Sequence, residues 1–270
     1  MSPAGIYAAT LTPFDGDLRP DPALAIPYYR GLLENGCDGL NVLGTTGESM
    51  SIGTADRVAY MEALAQALPR ERLMAGTGAS ALSDAVTLTR ACLDAGYSAA
   101  LVIPPFYYRD MGDDGIVRFF DALFSRVQPR ERSIMLYNFP RMSGTTFTPE
   151  LVSRLLVAFP GVICGLKDSS NKLELEIALH DLDASLAIFP GSEALLASAR
   201  TNGFAGCISG SVCLWPSQAQ QAWRSGEPRA LEAVEVLRDS LEGRPLIGTV
   251  RARVAQEQRN PAWLRSIPPL

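Results

Sequence analysis

Short apolar runs alternate with longer stretches of helical period along most of the chain. Residues 6–10, 39–43, 73–76, 99–103, 133–138, 162–167, 187–189 and 206–209 read as strands. Residues 22–34, 54–67, 83–95, 115–125, 149–158, 173–181, 193–201 and 216–225 read as helices. The punctuation agrees with this reading. Asn35-Gly36 closes the first helix as a C-cap, and Thr148 with Pro149 opens the helix at 149. Strands alternating with helices predict a parallel sheet, and eight repeats predict a closed (β/α)8 TIM barrel. A doubly wound open sheet is the alternative, but no G-x-G-x-x-G follows any strand. Beyond the last repeat, 230–241 and 246–258 read as helices and 261–270 as a proline-rich end. The expected organisation is a catalytic barrel over 1–226 and a short C-terminal helical appendix, 227–270, of the same domain.

Composition narrows the function. The chain has 270 residues, 47% hydrophobic and 20% charged, which suits an ordinary globular protein with a full core. A net charge of −5 without a basic cluster argues against a nucleic-acid partner. No apolar run approaches the roughly 18 residues of a membrane span, and Met1 to Thr10 carries no signal-like segment, so a cytoplasmic protein is expected. Cys37, Cys92, Cys164, Cys207 and Cys213 include no C-x-x-C and read as reduced, buried thiols. His180 is the sole histidine, which leaves little for a zinc site or a Ser-His-Asp triad, and no metal is expected. Lysine occurs only at Lys167 and Lys172, while arginine is plentiful. Arginine cannot supply a neutral amine, so a retained lysine is a candidate nucleophile; GC-rich coding that depletes lysine is the bland alternative.

An α/β barrel carries its site at the C-terminal ends of its strands. There the sequence places Gly44-Thr45-Thr46-Gly47-Glu48-Ser49, Pro104-Pro105-Phe106-Tyr107-Tyr108, Tyr137-Asn138-Phe139-Pro140, Gly165-Leu166-Lys167-Asp168-Ser169-Ser170 and Gly191-Ser192-Glu193. The Gly44–Gly47 loop can present N–H groups to a carboxylate. Tyrosines can relay protons. Lys167 leaves an apolar strand, where desolvation favours the neutral amine that attacks a ketone to give an imine. Taken singly, these parts have plainer readings. The glycine loop is a turn, Lys167 a snorkelling residue, Lys172 a solvated helix-start lysine, Tyr107 and Tyr108 surface rings, and Glu48 and Glu193 helix-start or surface acids. Their joint placement carries the argument.

Gly44-Thr45-Thr46-Gly47-Glu48, Tyr137-Asn138-x-Pro140 and Gly165-x-Lys167, in this order and spacing, resemble the dihydrodipicolinate synthase/N-acetylneuraminate lyase family. The resemblance runs from Thr12-Pro13-Phe14 to Pro261-Ala262-Trp263. It implies a class I, metal-independent and cofactor-free lyase or aldolase that handles pyruvate. By the same resemblance, Lys167 is the Schiff-base lysine and Tyr137 the proton relay. Thr46, with the Thr45 backbone, binds the pyruvate carboxylate. The Thr45 hydroxyl links Tyr137 to Tyr107, which reaches in from a neighbouring subunit of a homodimer or homotetramer. Ile208 packs beside pyruvate. The synthases carry an arginine at the position of Met142, whereas here Arg141 stands one residue early. Met142, Phe106-Tyr107-Tyr108 and Gly191-Ser192-Glu193 look more like the sialate-lyase and 2-keto-3-deoxy-sugar-acid aldolase branches. Glu193, Ser169 and Gly191 then become candidates for substrate hydroxyls. The readings in order are an aldolase or related lyase acting on a 2-keto-3-deoxy acid, a synthase with a displaced arginine, and an inactive keto-acid-binding relative.

Overall fold

A computed structural model describes residues 3–270 of the protein; Met1 and Ser2 of the N-terminal stretch lie outside the described residues. Eight parallel strands run β1 (Gly5–Ala9), β2 (Gly39–Val42), β3 (Leu73–Gly76), β4 (Ala99–Val102), β5 (Ile134–Asn138), β6 (Ile163–Asp168), β7 (Ala187–Pro190) and β8 (Gly206–Ser209). Neighbours in sequence are neighbours in the sheet, and β1 also pairs with β8. The Ala205 N–H donates to Ile188 O at 2.9 Å, which brings the β7 and β8 edges together and closes the ring. The barrel predicted from the alternation is the barrel found.

Helices cover the outside: α1 (Pro22–Glu34), α2 (Thr54–Ala67), α3 (Leu82–Asp94), α4 (Gly112–Val127), α5 (Pro140–Ser143), α6 (Pro149–Ala158), α7 (Leu173–Leu182), α8 (Leu196–Thr201) and α9 (Pro216–Ser225). Their starts follow local chemistry. Asp21 accepts the Leu24 N–H at 3.0 Å ahead of Pro22, and Thr148 accepts the Leu151 N–H at 3.2 Å ahead of Pro149. Each cap satisfies an otherwise orphaned N–H, and each proline sits where it has none to lose. α4 begins three residues before the expected start at 115, with Asp113 and Asp114 in its first turn, where acids favour the positive helix end.

Alternate strand residues point to opposite faces, and the core divides accordingly. Ile6, Leu40, Val42, Leu136, Leu166 and Ile188 pack outward against the helices. Tyr7, Met74, Leu101, Met135, Phe189 and Ile208 fill the barrel interior. Tyr7 and Phe189 meet edge to face there, with centroids 5.7 Å apart. All five cysteines are buried and unbonded to one another. Lys172 is exposed just ahead of α7, as expected for a helix-start lysine.

The C-terminal helices α10 (Pro228–Asp239) and α11 (Leu246–Glu257) pack back on the barrel, the first on α9 and the 193–195 turn, the second on the 211–214 turn. The proline-rich end holds more structure than expected: a 3-10 turn at Pro261–Leu264 drives Trp263 fully into the core, edge-on to Tyr28 at 4.8 Å. Among the described residues, no helix is long and apolar enough to cross a membrane.

Candidate active site

β6 does not pair evenly with β5. Ile163 faces Ile134, but Gly165 faces Met135, so one extra residue enters β6 at Cys164–Gly165. Ile163 and Leu166 point outward, and Cys164 points inward. The bulge therefore resets the side-chain alternation and brings Lys167 opposite the inward Tyr137. Gly165 is required at this point, because a Cβ there would lie 2.2 Å from Ala187 O.

Lys167 ends up 5% exposed in the barrel mouth. Its Nζ sits 4.6 Å from the centroid of the buried Tyr137 ring. The Tyr137 hydroxyl lies 3.3 Å from Thr45 Oγ1. Three residues from β6, β5 and the loop after β2 are thus joined in one array. Ile208 and Phe189 belong to the same interior cluster as Tyr137.

The loop after β2 is a tight turn. The Gly47 N–H donates to Gly44 O at 3.1 Å, and the Glu48 N–H to Thr45 O at 3.1 Å. Among the described residues, the N–H groups of Thr45 and Thr46 are not consumed by these bonds, which leaves two adjacent donors for an anion. Thr46 is buried and packs on Gly210 just past β8. Glu48, read from sequence as a helix-start or surface acid, is instead buried and ion-paired with Arg251 of α11.

Behind Lys167, Asp168 points to the opposite face and is fully buried. It accepts Asn138 Nδ2, the Ser170 N–H (3.1 Å) and the Ser170 hydroxyl (2.8 Å). Asn138 Oδ1 takes the Phe147 N–H at 2.9 Å, and Asn138 O takes the Ser169 N–H at 2.8 Å. Asn138 and Asp168 follow Tyr137 and Lys167 directly, so this clamp fixes those two side chains relative to each other. Sequence reasoning gave neither residue a role, although their positions beside the two motif residues were visible. Glu176 of α7 is buried nearby, and burial pushes its carboxyl up to about 8, helped by the charge of Asp168.

The remaining expected residues are placed less centrally. Ser169 Oγ lies against Gly191, within 2.6 Å of where a Cβ would stand. Glu193, expected to offer its carboxylate to substrate hydroxyls, is fully buried, and its Oε1 is committed to Trp215 Nε1 at 2.7 Å; among the described residues Oε2 has no hydrogen-bond partner. Tyr107 is 75% exposed and stands edge-on to Tyr108, with centroids 5.2 Å apart, so one chain alone does not bring it to Tyr137. Arg141 and Met142 are both exposed on α5. Among the described residues, no group of three or more His, Cys, Asp or Glu side chains is arranged to hold a metal ion.

A buried amine at a strand end of a (β/α)8 barrel, beside a tyrosine hydroxyl and an open pair of N–H donors, defines a lysine Schiff-base lyase of the aldolase class. The chain belongs to the dihydrodipicolinate synthetase family, whose profile matches residues 2–250. It is 37% identical to an uncharacterised DapA-like lyase of Chloroflexus aurantiacus over 219 residues, 81% of this chain and 73% of the relative. It is 34% identical to a 4-hydroxy-tetrahydrodipicolinate synthase of Synechococcus over 228 residues, 83% of this chain and 74% of the relative. The crystal structure of a dihydrodipicolinate synthase from Agrobacterium tumefaciens superposes with a TM-score of 0.89 at 32% identity, covering 98% of this chain and 92% of that one.

Proposed function

We propose that Lys167 forms a Schiff base with C2 of a 2-keto acid, and that the enzyme reversibly cleaves a 2-keto-3-deoxy acid to pyruvate and an aldehyde. The observation that carries this reading is the buried Lys167 amine held over Tyr137, with Thr45 on the tyrosine hydroxyl. The neutral amine adds to the ketone, and the carbonyl oxygen leaves as water with a proton relayed through Tyr137. In the cleavage direction the substrate C4 hydroxyl loses its proton and the C3–C4 bond breaks. The electron pair flows into the protonated imine, giving an enamine and the aldehyde. Protonation of the enamine carbon and hydrolysis return Lys167 and release pyruvate. Condensation is the same path reversed.

Thr46 and the Thr45–Thr46 N–H pair bind the substrate carboxylate, within the turn that Gly44 and Gly47 close. Ile208 packs on the pyruvate methyl. Ser169, beside Gly191, is the hydroxyl-binding candidate of this wall, and Glu193 contributes through its one free oxygen. Tyr107 completes the relay from a second copy of the chain, a homodimer or homotetramer. Its exposure in the single chain supports this assignment. Five buried thiols without a disulfide suit the reducing cytoplasm.

A second reading is favoured by the named relatives: condensation of pyruvate with aspartate semialdehyde, with Arg141 in place of the arginine absent at Met142. The test is product analysis with a panel of 2-keto-3-deoxy acids in one direction and pyruvate plus aspartate semialdehyde in the other. Pyruvate release from the first set supports the aldolase. Efficient condensation with the semialdehyde, lost in Arg141→Ala, supports the synthase instead.

A further inference from the structure

Arg251 lies 203 residues from Glu48 in sequence, and both side chains are almost wholly buried. Arg251 Nε donates to Glu48 Oε1 at 2.7 Å, and Nη2 bonds the same oxygen. Nη2 also donates to Thr12 O at 2.9 Å, and Nη1 to Trp263 O at 3.1 Å. The guanidinium lies 5.2 Å from the centroid of Phe14. The other Glu48 oxygen accepts the Ile267 N–H at 3.0 Å. One side chain thus gathers the loop after β1, the loop after β2 and the C-terminal segment.

The backbone shows what this clasp holds. Glu48 is left-handed, at φ 54°, a region L residues seldom enter unless their surroundings fix them there. Its N–H closes the turn onto Thr45 O. Rotation of Glu48 away from this position would swing the Thr45–Thr46 peptide and move Thr45 Oγ1 off the Tyr137 hydroxyl. The clasp is buried and satisfied on both oxygens, and its side-chain bonds run to Thr12, Trp263 and Ile267 rather than to Lys167 or Tyr137, so it acts through the turn.

We infer that Arg251 is a positioning residue for keto-acid binding: acting through Glu48, it makes the C-terminal segment the support of the carboxylate-binding turn. The inference rests on the proposed role of Thr45 and Thr46. It predicts a defect specific to substrates that carry a carboxylate. A general loosening of the barrel would affect all ketones alike.

The experiment compares pyruvate with methyl pyruvate, which keeps the ketone but lacks the charge. Each is trapped on the protein with cyanoborohydride, and half-saturating concentrations are read from intact mass. In Arg251→Met the ratio of half-saturating pyruvate to methyl pyruvate rises by about tenfold, the scale of one lost bond to a charged group. Should that variant fail to fold, a chain ending at Arg265 removes the Ile267 donor, its half-buried side chain and the exposed end while keeping Arg251 and Trp263, and the ratio rises by about threefold. The double variant Glu48→Met/Arg251→Met shows no larger ratio than Arg251→Met, because both residues act on one turn. An unchanged ratio in folded variants, or equal losses for both ketones, overturns the inference. Absence of any pyruvate adduct on the wild-type protein would instead remove the Schiff-base reading beneath it, a distinct result.

Discussion

The two sides of the barrel mouth are built differently. On the β5–β6 side, Tyr137 and Lys167 sit on strand ends, buried, with Asn138 and Asp168 tying the strands together behind them. On the β4 side, Tyr107 and Tyr108 stand on a loop and face solvent, touching each other. The first region is fixed by its own chain, since strand-mounted side chains with committed neighbours keep their geometry. The second is exposed, with each ring packed only edge-on to the other. The contrast separates a buried amine and a held hydroxyl, which one chain supplies, from an exposed lip on which the relay proposed for Tyr107 calls for a second copy.

The sharpest way to break this contrast is at the amine. Lys167→Met should abolish imine formation outright, and Lys167→Arg should not restore it, because a guanidinium stays protonated. Tyr137→Phe keeps the ring under Lys167 but removes the relay, so turnover should fall by about 10²–10⁴-fold with the fold retained, measurable by pyruvate release and melting temperature. Arg251→Met should be the most costly of these changes for stability, about 3–5 kcal/mol by denaturant unfolding, since it strands a buried Glu48 charge.

The buried carboxyl behind β6 gives a pH test of the rigid side. Glu176 titrates near 8 in the folded protein against an ordinary 4.5, so it favours folding while protonated. That contribution is complete below the ordinary value and is lost as pH rises through about 8. Melting temperature measured across this range should decline less in Glu176→Gln than in the wild type. The smallest effect belongs to the lip. Tyr107→Ala should change chain stability by no more than about 0.5 kcal/mol, as for an exposed residue, while lowering turnover if a second copy delivers the ring to Thr45. Unchanged turnover would take Tyr107 out of the relay.

Much of this molecule was legible because its signals are local. Alternation of strand and helix periods, Thr148 before Pro149 and Asn35 before Gly36 each report within a few residues, and the barrel follows from them. What sequence reading missed depends on contacts made only after folding. Glu48 looked like a surface acid because its partner is 203 residues away. The proline-rich end looked like a tail because nothing local says that Trp263 is buried. The four-residue α5 is too short to show a period. The bulge at Cys164–Gly165 had a trace, a glycine inside an apolar strand, which often marks such an irregularity. Tyr107 was read by resemblance as a residue working across subunits, and no pattern within one chain could have placed it.

Imine formation at Lys167 is read directly from the mass of the protein after pyruvate and sodium borohydride, with peptide mapping of the adduct. One reduced pyruvate adduct per chain, on Lys167, is the expected result. A folded protein that gains no adduct, or gains it on Lys172 or at the N-terminus, would rule out Lys167 as the Schiff-base amine.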